Sequence, residues 1–304
     1  MALTAVSDPK QPINQSAEPV HCAICGPGHA RPWGRSNGTL IMQCANCGLY
    51  HVEQRARTAD VSEFYRADYI ADTNRAETEM IGFRAASLRR EAARINRLRP
   101  DGGRLLDVGA SSGTFLHQFS ELNHWHVEGV EPSAFAVKYA RERFGLTIHQ
   151  GFLHDQHFDS NSFDCVTSLD TFMLHPEPAA DLQEMARILK PGGMLAMEIP
   201  GLRFRMLKNS GPVCRVLYGV PISLNAGVHL YYYTRRTLTR LMEQHGFEFA
   251  RSWAEQMPES GNAVSQFGKW AYFRATDLAY RLTSGWCHVA PKEFIVFKKA
   301  RSNS

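Results

Sequence analysis

From Arg104 onward, short apolar runs alternate with segments of helical periodicity. Leu105–Val108, Val127–Val130, Phe163–Val166 and Met194–Ile199 have the length and apolar density of buried strands. Helices are predicted between them over about 113–122, 133–144 and 179–189. In the last, Leu182, Met185, Ile188 and Leu189 form the apolar stripe, and Pro191–Gly193 stops it. Such alternation implies a doubly wound, mostly parallel sheet with helices on both faces, which binds ligands at the carboxyl ends of its strands.

On either side the pattern changes. Residues 75–98 read as one helix, with Met80, Phe83, Ser87, Leu88 and Ile95 near one face. Its Arg84, Arg90, Arg94 and Arg97 read as a solvated face. Beyond Gly246 come a strand to about Glu255, an amphipathic helix over 264–283 that covers a pocket or forms an interface, and a last strand over 293–298. The set suits seven strands, the final one antiparallel. Residues 1–19 are polar, have no apolar core behind a basic start, and read as a disordered lead-in; no secretory leader is expected and the compartment is cytosol-like. No apolar run approaches the ~20 residues of a membrane span.

Four of seven cysteines fall in two pairs, Cys22/Cys25 and Cys44/Cys47, with 18 residues between them. That is zinc-ribbon spacing, in which two tight turns offer four thiolates to a tetrahedral ion. Gly26 and Gly48 follow the second cysteine of each pair, where the turn needs positive φ. Four cysteines complete the tetrahedron, so the zinc is expected to be structural.

Residues 105–116 read as a strand, a turn of small residues and a helix start. Small residues let backbone approach a ligand, and a helix N-terminus offers N–H groups. The turn carries Gly109, Ser111 and Gly113, with Phe115 and Leu116 beyond, so the dinucleotide fingerprint is not met. Glu131 ends the second strand 24 residues after Asp107, the reach of one strand–helix–strand unit, and is placed to accept both hydroxyls of a ribose.

These features together resemble the class I S-adenosylmethionine-dependent methyltransferases. The likeness rests on the Asp107-Val108-Gly109 turn, acidic Glu131, Phe163-Asp164 opening the fourth strand, and the run from Arg187 to Gly193 before the fifth. The ribbon, Phe64-Tyr65 to Tyr69 beyond it, His229 to Thr234, and Leu238 to Gly246-Phe247 resemble a subgroup that joins a ribbon to this domain. The resemblance covers roughly residues 20–300. It implies that Asp107, Gly109 and Gly113 line the methionine end of the cofactor, with Ser111 in place of the usual middle glycine. It further implies that Glu131 binds the ribose, that Gly151 and Phe152 flank the adenine, and that Leu169 and Asp170 close the site. Where many relatives carry Glu-His after the fourth strand, this chain has Met173-Leu174, with His175 one place later. The expected organisation is a lead-in (1–19), the ribbon (20–52), a helical linker and docking segment with the aromatics of 62–69 (53–103), and the S-adenosylmethionine-binding domain (104–304) with a substrate cover near 200–235.

Because such a cofactor brings the electrophile, the protein has mainly to align a nucleophile and remove its proton. His175 and His229 are candidate bases, with Tyr231 or Tyr232 to orient; for each, a packed or surface residue is an equal alternative. Composition adds one point. Between Ile199 and Met242 there are no acids but seven Lys or Arg, including Arg203 and Arg205. A local positive field fits a small-molecule acceptor that is anionic or carrier-linked, methylated on oxygen or carbon; solvated helix faces are an equal alternative, and the favoured one for Arg235, Arg236 and Arg240. Two competing readings are an RNA methyltransferase gripping RNA with the ribbon and a non-catalytic cofactor-binding scaffold. A net charge of +4 makes no demand for nucleic acid.

Overall fold

A computed structural model describes residues 18–36, 38–55, 69–119, 122, 124–209, 224, 229–255, 263–283, 285 and 288–301, the side chains of 18, 54–55, 69–83, 208–209 and 263–265 excepted. The N-terminal module contains β1 (Glu18–Pro19), β2 (Ala30–Ser36), β3 (Thr39–Cys44), β4 (Tyr50–Val52) and β5 (Gln54–Arg55). Helix α1 (Tyr69–Leu98) leads to β6 (Gly103–Val108), α2 (Thr114–His117), β7 (Trp125–Glu131), α3 (Ala134–Phe144) and β8 (Thr147–Gln150). There follow β9 (Phe163–Leu169), α4 (Pro178–Ile188), β10 (Leu189–Pro200), α5 (Leu202–Asn209) and β11 (Tyr231–Tyr232). The chain continues through α6 (Arg235–Gln244), β12 (Phe247–Glu255), α7 (Ala263–Leu282) and β13 (Lys292–Lys299).

Seven strands form one sheet in the order β12-β13-β10-β9-β6-β7-β8. Those from β10 to β8 are parallel neighbours, while β13 runs antiparallel to both β10 and β12. Every residue of β9 is buried, as expected of a central strand covered on both faces. The sequence's topological reversal lies at β6, between β9 and β7, so a crevice opens at their carboxyl ends. Among the described residues no helix is long and apolar enough to cross a membrane.

Local differences from the expected elements have physical causes. Helix α4 ends at Ile188, and Leu189 already pairs with Phe163; Pro191–Gly193 form a bulge inside β10 instead of the stop. Helix α2 is one turn, entered through Gly113 at φ 75°. The aromatics of 62–68 lie outside the described residues.

Of the four arginines expected on a solvated face of α1, Arg97 is exposed but the other three are drawn into contacts. Arg84 reaches Glu198 of β10 at 2.9 Å, and Arg90 and Arg94 both reach Glu255 at the end of β12. Arg84 and Glu91 fall on the same helical stripe as Leu88 and Ile95, so charge is carried into the interface. Neither oxygen of buried Glu91 finds a donor, nor does Glu198 Oε2. One proton held between the two carboxyls answers both needs. Burial first, then the Glu198 charge, raises Glu91 well above the usual carboxylate range.

A carboxyl whose folded pKa is raised stabilises below its unfolded value near 4.5 and loses that contribution as pH rises. Glu91→Gln is therefore expected to match the wild type in thermal midpoint at about pH 5 and to exceed it at about pH 8. A variant less stable than wild type at the higher pH would show that Glu91 is ionised and paired.

Candidate functional site

Three segments meet at the carboxyl ends of β6, β7 and β8. Gly109 and Ala110 donate their N–H groups to Val130 O at 2.9 and 3.0 Å, and Gly151 donates to Glu131 O at 3.0 Å. Buried Glu131 accepts from Ser111 N through Oε2 and from Ser133 N through Oε1, both at 2.9 Å. Its carboxylate is thus held by backbone donors on both oxygens. Gly109 has φ 81°, and a Cβ there would stand 2.6 Å from Thr171 Cγ2. Only glycine fits. Ser111 stands at φ 48° where the family uses glycine, and its bond to Glu131 offsets part of the cost of that conformation. Gly151 (φ 128°) and Phe152 follow β8 directly, and the Phe152 N–H donates to Asp155.

Asp107 is buried and accepts from the Thr167 hydroxyl at 2.6 Å. Burial raises it to about 7, against that bond and the charge of Arg84. It is a carboxyl poised to ionise when a cation arrives.

At the end of β9, Leu169 is buried and Asp170 adopts φ 63°. Thr171 ties this turn to β6 through Val108 O at 3.1 Å. Lys292 of β13 spans Asp170 Oδ2 (2.6 Å) and Glu198 Oε1 (2.5 Å), and Arg84 joins Glu198 from the other side. Burial alone would raise Asp170, but Lys292 and Arg84 hold it well below the usual carboxylate range. Its Oδ1 is buried without a partner.

His229 lies beside this edge. Arg205 Nη1 donates to its Nδ1 at 3.2 Å. Burial, then the Arg205 charge, pushes His229 down to about 4, so the ring is neutral. A guanidinium can only donate, so Nδ1 must accept and the proton sits on Nε2. As placed, His229 has its Nδ1 lone pair engaged by Arg205 and carries its N–H on Nε2. The Tyr232 ring lies 6.2 Å from His229, and its hydroxyl is buried without a partner.

Tyr231 needs correcting as an orienting group of this edge. Strand alternation sends it, with Tyr233, to the opposite side from Tyr232. There it stacks on Tyr233 at 5.8 Å and lies across from His51 of β4. His175 bonds Asp181, in the first turn of α4, at 2.7 Å; among the described residues no contact joins it to Asp170 or His229. The polar residues that sequence reasoning missed here are Arg84, Glu198 and Lys292. Glu198 carried the one legible signal, an acid within an otherwise apolar strand.

The four cysteine sulfurs lie within 4.8 Å of one another, Cys22 and Cys47 at 3.4 Å. A tetrahedral zinc–thiolate site spaces its sulfurs by about 3.8 Å, given a Zn–S bond of about 2.3 Å. Gly26 and Gly48 have φ 73° and 81°, as such turns require. Burial, then neighbouring sulfurs, pushes Cys25 up to about 11, so four thiolates coexist only around a cation. The donor set fits zinc. The ribbon is wired to the large sheet's loops: β11 pairs with β4, Val52 N donates to Leu230 O, and Leu230 N donates to Met173 O just past Asp170. Gln244 of α6 also donates to Ile24 O between the first two cysteines.

Comparison with known proteins agrees with this geometry. Residues 80–251, more than half of the chain, match a family described as a methyltransferase domain. An O-methyltransferase of Pyrenophora dematioidea is 27 % identical over 111 residues, which cover 34 % of this chain and 42 % of that protein. The ubiquinone biosynthesis O-methyltransferase of Xanthomonas axonopodis pv. citri is 32 % identical over 108 residues, covering 33 % and 44 %. The chain spans about half the length of the curated relatives it matches. A chain in the Haloferax volcanii complex between the Trm112 methyltransferase activator and a methyltransferase superposes with a TM-score of 0.54 at 20 % identity, covering 79 % of this chain and 98 % of that one. A SAM-dependent methyltransferase of Thermotoga maritima gives 0.50 at 18 % identity, with 78 % and 97 % covered. The chain belongs to the methyltransferase domain family and has the class I S-adenosylmethionine-dependent methyltransferase fold.

Proposed function

We propose that the protein transfers a methyl group from S-adenosylmethionine to an oxygen, or a carbon, of a small-molecule acceptor. The observation that carries this is the hydrogen-bonded junction of the Gly109–Gly113 turn, Glu131 and Gly151, with the Asp170 turn beside it at the same sheet edge. When bound, the cofactor supplies a methyl group on a sulfonium. Glu131 would accept the ribose hydroxyls, Asp107 would face the cationic methionine end, and Gly151 and Phe152 would flank the adenine. Leu169 and Asp170 would close the site. The protein's own part is alignment: Tyr232, His229 and Arg205 wall the acceptor side, and the Lys292–Asp170 pair keeps that wall rigid. An acceptor with a negative group, free or carrier-linked, is the fuller form of this reading. Names of curated relatives, among them the ubiquinone biosynthesis enzyme, support a small acceptor. The ribbon offers little to RNA, since Arg31 and Arg35 turn to Gln43 and Gly38 O. We infer that the four cysteines hold a structural zinc, whose reduced thiolates suit the cytosol.

Calorimetry with S-adenosylhomocysteine tests the cofactor site. Wild type is expected to bind, and Glu131→Ala to lose at least about tenfold, since each hydrogen bond to a charged group contributes about 1.5–3 kcal/mol. Equal affinity would remove Glu131 from the ribose. S-adenosylmethionine affinity should rise about tenfold from pH 6 to pH 8, because its cationic end favours ionised Asp107 and that group titrates near 7. A flat profile in the wild type, or a rise that persists in Asp107→Asn, would contradict the assignment.

Metal analysis should find one zinc per chain, lost in Cys47→Ser together with cooperative unfolding. A metal-free protein of undiminished stability would overturn the zinc reading.

A further inference from the structure

We propose that Arg205, His229 and Tyr232 form a pocket for a carboxylate of the methyl acceptor. The proposal rests on the methyl-transfer reading above and names the acceptor's chemistry.

Charge counting at the sheet edge comes first. Arg84 and Lys292 are in contact with Glu198 and Asp170, two cations with two carboxylates. Arg205 is left over. It is partly buried on α5, and among the described residues no carboxylate lies within ion-pairing distance of it. A guanidinium drawn partly out of water with no carboxylate in contact, only the charge of Asp170 at longer range, leaves room for one negative charge.

Hydrogen bonding points the same way. Arg205 fixes the tautomer of His229, leaving Nε2–H as a donor. The Tyr232 hydroxyl, on a residue only 5 % exposed, has no acceptor. Arg205, an imidazole N–H and a phenol O–H offer three kinds of donor, a set that matches an oxyanion. Magnitude then selects the anion. One unmatched positive charge balances a carboxylate, whereas a phosphate monoester brings about −1.5 to −2 and would overfill the pocket. A neutral acceptor would leave Arg205 unpaired. The carboxylate would anchor one end of the acceptor and turn its other end, with the nucleophilic atom, toward the Asp170 turn. Arg203, exposed on the same helix, takes no part.

The cofactor's own methionine carboxylate is the other source of that chemistry, and the test separates the two. Protein saturated with S-adenosylhomocysteine is titrated with 4-hydroxybenzoate, 4-hydroxybenzamide and phenyl phosphate. The expected result is binding of 4-hydroxybenzoate at least about tenfold tighter than either analogue, and loss of that preference in Arg205→Met and Tyr232→Phe. S-adenosylhomocysteine affinity should stay unchanged in both variants, which also shows that they fold. Long-range nitrogen NMR of the histidines should show His229 protonated on Nε2, shifting only when the carboxylate is added. Equal binding of acid and amide, tighter binding of the phosphate, no binding of any of the three, or an Nδ1-protonated His229 would each overturn the proposal. So would Arg205→Met weakening S-adenosylhomocysteine, since Arg205 would then serve the cofactor. Absence of S-adenosylhomocysteine binding by wild type would instead sink the underlying methyltransferase reading.

Discussion

Two cations and two carboxylates at the carboxyl edge of the sheet, Glu198 buried and the other three half-buried, hold four pieces of chain together. Lys292 from β13 bridges Glu198 of β10 and Asp170 just past β9, and Arg84 of α1 joins Glu198 from outside the sheet. Taking four charges out of water is expensive, and removing one partner of such a set typically costs about 3–5 kcal/mol. An apolar cluster of the same volume would pack as well and be more forgiving. What the ionic set adds is position: Asp170 is held at φ 63°, with one oxygen engaged by Lys292 and the other turned away from any protein donor. Burial and the Glu198 charge raise Glu91, beside this set, well above the usual carboxylate range.

The ribbon enters the same edge by a different route. β11 adds a fourth strand to the ribbon's sheet, and Leu230, just before it, donates to Met173 in the turn after Asp170. Tyr231 and Tyr233 face the ribbon side, while Tyr232 faces Arg205 and His229. One short strand therefore completes the ribbon's sheet and places Tyr232 beside His229 at the edge of the large sheet. The apolar residues around Cys22 and Cys44 form one cluster with those of β6 and β10.

Much of this was legible in the residues. Strand–helix alternation from Arg104 implies the parallel sheet, the Gly109–Gly113 turn and Glu131 mark its binding edge, and the two Cys pairs mark the ribbon. These signals are local, carried by spacing within a few residues. The parts that were not legible depend on contacts between distant segments. The arginines of α1 look like a solvated face until Glu198 and Glu255 are brought opposite them from more than 100 positions away. Tyr231 and Tyr232 are equivalent in the sequence, and only the pairing of β11 with β4 decides which one faces His229. His229 reads as a base until Arg205, 24 positions earlier, fixes its tautomer. The bulge at Pro191–Gly193 likewise looks like a helix stop until Leu189 is seen to pair with Phe163.

The central claim is that the carboxyl edge of β6, β7, β8 and β9 binds the methyl donor. Hydrogen–deuterium exchange with and without saturating S-adenosylhomocysteine tests it most directly, because it reports where protection falls rather than whether binding occurs. The account predicts slowed exchange confined to residues 107–113, 129–133, 150–153 and 168–171, with β12 and α7 unaffected. Protection centred elsewhere, or none at these four segments when the ligand is bound, would contradict it.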